Sequence, residues 1–458
     1  MSWPSSIHVA RARLSKSPLA WCLVLLSSFA GTRAQNLTDG QIDVVSARLA
    51  EAALQSWELG TRAQSILELN ATQYSVFAST SLPPPSSLPS ALSNSGALTP
   101  FFAIAHNIVA NRTKANNNTS GPQAFLPDGS AADPASIGVC VLLANWTGQD
   151  SGQLDYAGAA KDQLDYLLQV VPRTSDGAIS HRVSQVQLWS DFVYMVPPFL
   201  AYYGVVSRNR TLVAESYNQI KLYRNYLRDP TSGLWKHVLL GSSQNDEGFW
   251  STGNGWAAAG MLRVIATIKH SEYANTFKNE QNDLTSWVKE IHAAIYPHLD
   301  NTNIFTNYAG QPLTADGNFY DAASTTLLAA TVYRAALLLN EFKYLPFAER
   351  SRKTLFNATS STSSTAISSN SSATLAGYQH LTEVGWLTPV VNPHEYGVQG
   401  NESAEGQAFV VQLHAVYREW VENGSKGQNA ALSMKRPGST NIVMISVALG
   451  AGVVGLFL

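Results

Sequence analysis

Charge is scarce in this chain. Only 14% of its 458 residues are Asp, Glu, Lys or Arg, against about a quarter in ordinary globular proteins. Thirty basic residues face 32 acidic ones, for a net charge of −2. With no basic field, nucleic acid is not an expected partner, and with no acidic tail neither is a basic protein. Cysteine is almost missing, with Cys22 and Cys140 the only two. No zinc-ligand spacing links the histidines, no glycine loop is shaped for phosphate, and no Gly-x-Ser-x-Gly or Asp-Asp pair occurs. Metal, nucleotide and serine-hydrolase chemistry therefore have no motif here, and no cofactor is expected. What is abundant is apolar and aromatic: 45% hydrophobic, with 11 Trp and 18 Tyr. That is ample for a large core, and it suits a protein handling neutral or weakly acidic polar ligands.

The two ends read as addresses. Arg11, Arg13 and Lys16 precede an apolar run from Leu19 to Leu26, followed by Gly31-Thr-Arg-Ala34. The order basic, apolar, small predicts a secretory signal peptide over 1–34, too short in its apolar part to cross a bilayer. At the other end, small residues at Asn429, Ala430 and Ala431 lead into a polar spacer. A charge-free apolar tail then runs from Ile442 to Leu458, so 426–458 has the pattern of a GPI signal. Asn-x-Ser/Thr sequons at Asn36, Asn70, Asn111, Asn117, Asn118, Asn145, Asn209, Asn357, Asn370, Asn401 and Asn423 agree with a glycosylated, secreted, GPI-anchored product. Cys22 would leave with the signal, and Cys140 would then have no partner for an internal disulfide.

Between the addresses strand signals are few and apolar residues recur at helical spacing. Helices are predicted near 40–69, 97–111, 134–146, 154–170, 189–206, 211–228, 254–269, 282–297, 320–340, 343–357 and 403–422, with a twelfth near 371–388. Some are apolar or small on every side, as over 137–144, 256–262 and 322–330. Others are amphipathic and charged, as over 159–168 and 283–291. A helix apolar all round must be covered all round, whereas an amphipathic one faces water. Alternation of the two predicts an all-α fold, an (α/α)6 barrel of inner and outer helices over 35–425, although helical hairpins repeated in this way build an open solenoid as readily. A Ser/Thr-rich insertion over 354–374 interrupts it.

Carboxylates, histidines and tryptophans are the remaining chemical inventory, as carbohydrate chemistry requires. Asp191 is the only charge between Val183 and Ser207. Burial at the head of an apolar helix would raise its pKa and suit it to donate a proton; capping that helix is the alternative. Asp133 heads another inner helix, where a cap is the plainer reading. His181 and Arg182 follow a turn, and an Arg fork matches a carboxylate. Asp229-Pro-Thr-Ser-Gly-Leu-Trp235-Lys-His237 would deliver His237, and Trp250, Asn254 and Trp256 open the helix after it. Tryptophan faces stack on sugars, and a helix N-terminus favours an anion; on these residues alone the plainer reading is capping by Thr252 or Asn254 with Trp256 in the core.

GAISHR (177–182), LWSDFVYMVPPFLAYYG (188–204), DPTSGLWKH (229–237) and FWSTGNGWAAAG (249–260) resemble, in order and spacing, the unsaturated rhamnogalacturonyl hydrolases. These are the six-hairpin glycosidases of glycoside hydrolase families 105 and 88, and the resemblance covers roughly 130–425. It implies an (α/α)6 barrel and removal of a terminal 4,5-unsaturated uronic acid from pectin-derived oligosaccharides by hydration of a vinyl ether. It also implies that Asp191 is the acid and base and Asp133 the second aspartate. His181, Arg182, His237, Trp250, Asn254 and Trp256 would bind substrate. Many relatives carry Arg two residues before the Asn of GNGW, and Thr252 stands there instead. Either Arg182 or Lys236 would then supply the positive charge for the uronate carboxylate, or the substrate is not an unsaturated uronide. Two other readings stay open: a retired carbohydrate-binding or wall protein on the same barrel, and a wall-mannan hydrolase or transglycosidase. The missing Asp-Asp argues against the last.

Overall fold

The computed structural model describes residues 36–116, 121–149, 153–358 and 374–428. The signal, most of the Ser/Thr-rich insertion and the C-terminal tail lie outside these residues. In chain order the helices are α1 (Asp39–Ala52), α2 (Ser56–Asn70), α3 (Ser90–Ser95), α4 (Thr99–Ala115), α5 (Gly138–Trp146), α6 (Tyr156–Asp165), α7 (Phe192–Val206), α8 (Arg210–Leu227), α9 (Ser251–Lys269), α10 (Lys278–Ile295), α11 (Ala322–Leu339), α12 (Leu345–Leu355) and α13 (Ala404–Glu422). Two small antiparallel pairs join them: β1 (Leu188–Trp189) with β2 (Val238–Leu239), and β3 (Val390–Asn392) with β4 (Glu395–Gly400).

The inner staves are α2, α5 with the 3-10 turn Asp133–Ile137 before it, α7, α9, α11 and α13. Each packs on the next, and α13 returns to α2, closing the ring. Outside them, α4 and α6 flank α5, α8 backs α7, α10 backs α9 and α12 backs α11. The first outer helix, α1, packs on the last inner one, α13. The expected six-hairpin barrel is therefore the fold. Apolar composition explains most inner staves. α11 is apolar enough to cross a membrane, yet here it is nearly all buried as a core stave.

Two expectations need correcting. No helix stands over 374–388, which is made of turns and bridges. The twelfth barrel helix comes instead from a break in the predicted 40–69 segment. There the Glu58 carboxylate accepts from Leu54 N and Gln55 N, both at 2.9 Å, capping a new helix. The resulting α2 is inner although its sequence looks like an outer helix. Its buried Glu68 is paired with Arg334 at 3.0 Å, a partner 266 positions away.

Close approach of α7 and α9 sets the geometry of the cleft end. A Cβ on Gly253 would lie 2.3 Å from Ser190 Oγ, and one on Gly260 would lie 2.1 Å from Val193 O. Inside α7, Pro198 has no N–H to give the Tyr194 carbonyl. The buried Arg263 of α9 donates to it instead at 3.2 Å. The prolines thus open α7 to a cross-link from its neighbour rather than breaking it.

Candidate active site

At the N-terminal end of the inner ring lies a cleft of about 380 Å³. Asp133, His181, Arg182, Trp189, Asp191, His237, Trp250, Tyr396 and Glu405 are among its lining residues. Backbone pairing brings the central ones together. Trp189 pairs with Val238 across β1 and β2, and Ser190 N donates to His237 O at 2.9 Å. Val238 exchanges both backbone hydrogen bonds with Asp246, at 2.7 and 3.0 Å. Asn307 ties the far wall: its Oδ1 accepts from Trp250 Nε1 at 2.8 Å, and its Nδ2 donates to Tyr396 O at 2.8 Å.

Asp191 stands at the N-cap position of α7, but its carboxylate makes no capping hydrogen bond. Oδ2 accepts from Ser190 Oγ at 3.0 Å and lies 3.6 Å from His237 Nε2. Burial pushes the Asp191 pKa up, against the opposing pull of the Ser190 hydrogen bond and Arg182. The capping alternative is thus not what the side chain does. Asp133 is equally uncommitted: its helix has no side-chain cap, while its backbone N–H goes to Ser130 Oγ at 3.0 Å. Burial, then the charges of Asp128 and Asp191, hold its pKa well above the usual range.

His181 lies 3.5 Å from Asp133 Oδ1 through Nε2 and stacks on Trp189, centroids 5.0 Å apart and 13° from parallel. Burial and then the charge of Arg182 depress its pKa well below the ordinary value, so the ring is neutral at physiological pH. Arg182 covers the Trp189 ring at 4.6 Å. His237 is ringed by Trp250 at 4.4 Å and Tyr396 at 4.5 Å.

Asp133, His181, Arg182, Asp191, His237 and Trp250 therefore converge. Asn254 and Trp256, expected to touch substrate, do not line the cleft. Asn254 is spent on the Trp235 and Trp250 backbones, and Trp256 is wholly buried against Tyr194 and Phe409. Six residues along a helix rotate Trp256 by about 240° from Trp250, which turns it into the core. Thr252 is buried too, donating to Asp321 Oδ2 at 3.3 Å. Lys236 is paired with Glu247 at 2.5 Å outside the cleft, which leaves Arg182 as the cationic wall.

The sequence reading missed Trp57, Asp128, Asp246, His394, Tyr396 and Glu405. Glu405 is buried in the first turn of α13 with Oε1 unpartnered. Its pKa is raised well above the usual range by burial, then by the charges of Asp191, Glu58 and Asp321. Asp246 accepts from Tyr308 OH at 2.6 Å and from His237 Nδ1 at 2.9 Å. It is held ionised below the usual range because His237 and Tyr308 outweigh its partial burial. Among the described residues no group of His, Cys, Asp and Glu is arranged to hold a metal ion.

A helical toroid with paired carboxyls, histidines and aromatic walls in its mouth is the architecture of a glycoside hydrolase. The pattern of Glycosyl Hydrolase Family 88 matches residues 104–398, well over half of the chain. This chain belongs to glycosyl hydrolase family 88. The unsaturated rhamnogalacturonyl hydrolase YesR of Bacillus subtilis (strain 168) is 28% identical over 143 residues, 29% of this chain and 40% of YesR. The match thus spans less than half of that relative's length. Two solved structures share the fold, each described as a possible member of the GH105 family. The one from Salmonella enterica has a TM-score of 0.59 at 15% identity, covering 83% of this chain and 93% of its own. The one from Klebsiella pneumoniae has a TM-score of 0.59 at 14% identity, covering 91% and 100%.

Proposed function

We propose that this protein removes a terminal 4,5-unsaturated uronic acid from pectin-derived oligosaccharides by adding water across the vinyl ether. The observation that carries the reading is the uncapped, largely but not wholly enclosed Asp191 carboxyl, set in a cleft whose cationic wall is Arg182. The upward push of burial on its pKa favours the protonated form, as proton transfer to carbon requires. Asp191 gives that proton to C4 as the C4–C5 π bond breaks. A water then forms the C5–O bond and returns a proton to the Asp191 carboxylate. The C5 hemiketal opens to a ketone, and the hemiacetal left at C1 expels the remaining oligosaccharide as an alcohol. Arg182 meets the uronate carboxylate, and Trp250 with Tyr396 bounds the sugar faces. Burial pushes Asp133, Asp191 and Glu405 toward their neutral forms, which lessens the repulsion of an anion by this carboxyl-rich cleft.

The same reading includes secretion with a GPI anchor. Sequon asparagines among the described residues are all exposed or half-exposed, from Asn36 and Asn70 to Asn401 and Asn423, as glycan attachment requires. The test of the activity is loss of the vinyl-ether absorbance when purified protein meets lyase-digested rhamnogalacturonan, beside Asp191→Asn. Wild type should remove the signal, and the variant should be slower by about 10²–10⁴-fold, the usual range for a lost general acid. An unchanged signal with wild type would refute the assignment for this substrate.

A further inference from the structure

Behind Asp191 stands a chain of groups that the hydration itself does not require. Tyr308 OH donates to Asp246 Oδ2 at 2.6 Å, and the same oxygen lies 2.9 Å from His237 Nδ1. Gly248 N–H occupies the other oxygen, Oδ1, at 2.9 Å. A carboxylate can only accept, so the Nδ1 of His237 carries the hydrogen in this bond. The other ring nitrogen, Nε2, is buried without a hydrogen-bond partner and faces Asp191 Oδ2 at 3.6 Å.

We propose that Asp246 is a positioning residue, holding His237 in the Nδ1–H tautomer so that a bare Nε2 faces Asp191. The idea rests on the reading of Asp191 as the acid. A bare Nε2 can accept a hydrogen bond from protonated Asp191 or from the water that adds to the substrate. The opposite tautomer would aim an N–H at Asp191 Oδ2. That donor would favour the carboxylate and withdraw the proton needed at C4.

Asp246→Asn inverts the tautomer without changing shape. Gly248 N–H demands an acceptor, so the amide oxygen takes the Oδ1 place and the amide NH2 faces His237 Nδ1. That NH2 donates, Nδ1 becomes the acceptor, and Nε2 takes the hydrogen. Other titratable or charged groups acting on the pair are Asp133, His181, Arg182, Tyr223, Tyr396 and Glu405. The substitution leaves all of them in place.

The experiment is long-range 1H–15N correlation on the ¹⁵N-histidine-labelled full chain, with the His237 signal assigned by its loss in His237→Gln. Wild type should show hydrogen on Nδ1 alone and Asp246→Asn on Nε2 alone. This arm needs no substrate, so it stands even if the proposed substrate is wrong. On lyase-digested rhamnogalacturonan, Asp246→Asn should lower kcat about 10²-fold or more with KM within about threefold. The limb where activity falls with rising pH should move to lower pH, because Nε2–H favours ionised Asp191. Tyr308→Phe keeps Asp246 and should keep the wild-type tautomer, losing less than about tenfold in kcat. Hydrogen on Nε2 of the wild-type protein, as the other tautomer or as imidazolium, would overturn the proposal. So would an inverted tautomer in Asp246→Asn with unchanged kcat and pH profile.

Discussion

Arg182 is the sharpest place to test how this cleft reads charge. Its guanidinium lies over the Trp189 ring at 4.6 Å, and Lys236 is turned away onto Glu247. Two unit charges 4 Å apart attract by about 4 kcal/mol at an effective dielectric of 20. Desolvation takes back part of this, and a charge-assisted hydrogen bond is worth about 1.5–3 kcal/mol net. At about 1.4 kcal/mol per decade, Arg182→Met should cost about 10–150-fold in kcat/KM. Methionine keeps an apolar stem against Trp189, so the loss is mostly charge. The assay is a double cycle: wild type and Arg182→Met, each on the uronate and on its methyl ester. Esterification should slow wild type about as much as the mutation does, and the variant should barely distinguish the two substrates. Arg182→Lys should recover only part, since an ammonium lacks the fork and stacks poorly. Equal losses on acid and ester would show that Arg182 supports the cleft without reading a carboxylate, and the uronide assignment would lose its cationic partner.

Two further outcomes concern stability. Glu405 has a folded-state pKa well above the usual range, from burial and then neighbouring carboxylates. Below the unfolded pKa, about 4.3, it is neutral in both states; as pH rises toward the folded value the unfolded chain alone ionises, and stability falls. Glu405→Gln should therefore raise Tm over wild type at pH 7 and show no advantage at pH 3.5, read by thermal scans at both; an equal gain at both pH values would contradict the buried-acid argument. At the other end of the barrel, Arg334 bridges Glu68 at 3.0 Å and Glu419 at 2.6 Å. Arg334→Met should cost about 3–5 kcal/mol of unfolding free energy in denaturant melts, because Glu68 is left buried without its cation, while kcat of the folded fraction stays at the wild-type value.

Local pattern was enough where a residue broke the pattern around it. Asp191 stood out as the only charge in a long apolar stretch, and the inner staves α5, α7, α9 and α11 announced themselves by having no polar face. It failed where the compensating partner is remote. α2 carries buried Glu58, Gln64 and Glu68 and reads as a solvent-facing helix, because Arg334 is invisible to any local window. Trp57 and Glu405 reach the cleft only because the ring closes α13 onto α2. Asp246 lies in a Gly-Ser-Ser-Gln-Asn-Asp stretch that has the composition of a surface turn, and only the backbone pairing of Val238 with Asp246 reveals what it faces.

The same residue type at the same helical position serves opposite ends here, and hydrogen bonding separates them. Asp321 precedes α11 as Asp191 precedes α7. Asp321 accepts from Ala323 N, Ser324 N, Val391 N and Thr252 Oγ1, at 2.9–3.3 Å. Every lone pair is committed, and the group is structural. The Asp191 carboxylate accepts from Ser190 Oγ and makes no side-chain cap on its helix. Val193 N and Tyr194 N are held by the Ser190 and Asp191 carbonyls instead, at 3.3 and 2.9 Å, so no carboxylate neutralises the positive end of α7 at the cleft. Asp133, Asp191, Trp250 and Glu405 all sit at or beside the first turns of inner staves. The mouth of the barrel is therefore lined by several helix N-termini at once. Acids pushed toward their neutral forms by burial, in a ring of positive helix ends, make a cleft suited to an anionic sugar. Capping α7 with Asp191 would stabilise the helix and abolish that arrangement.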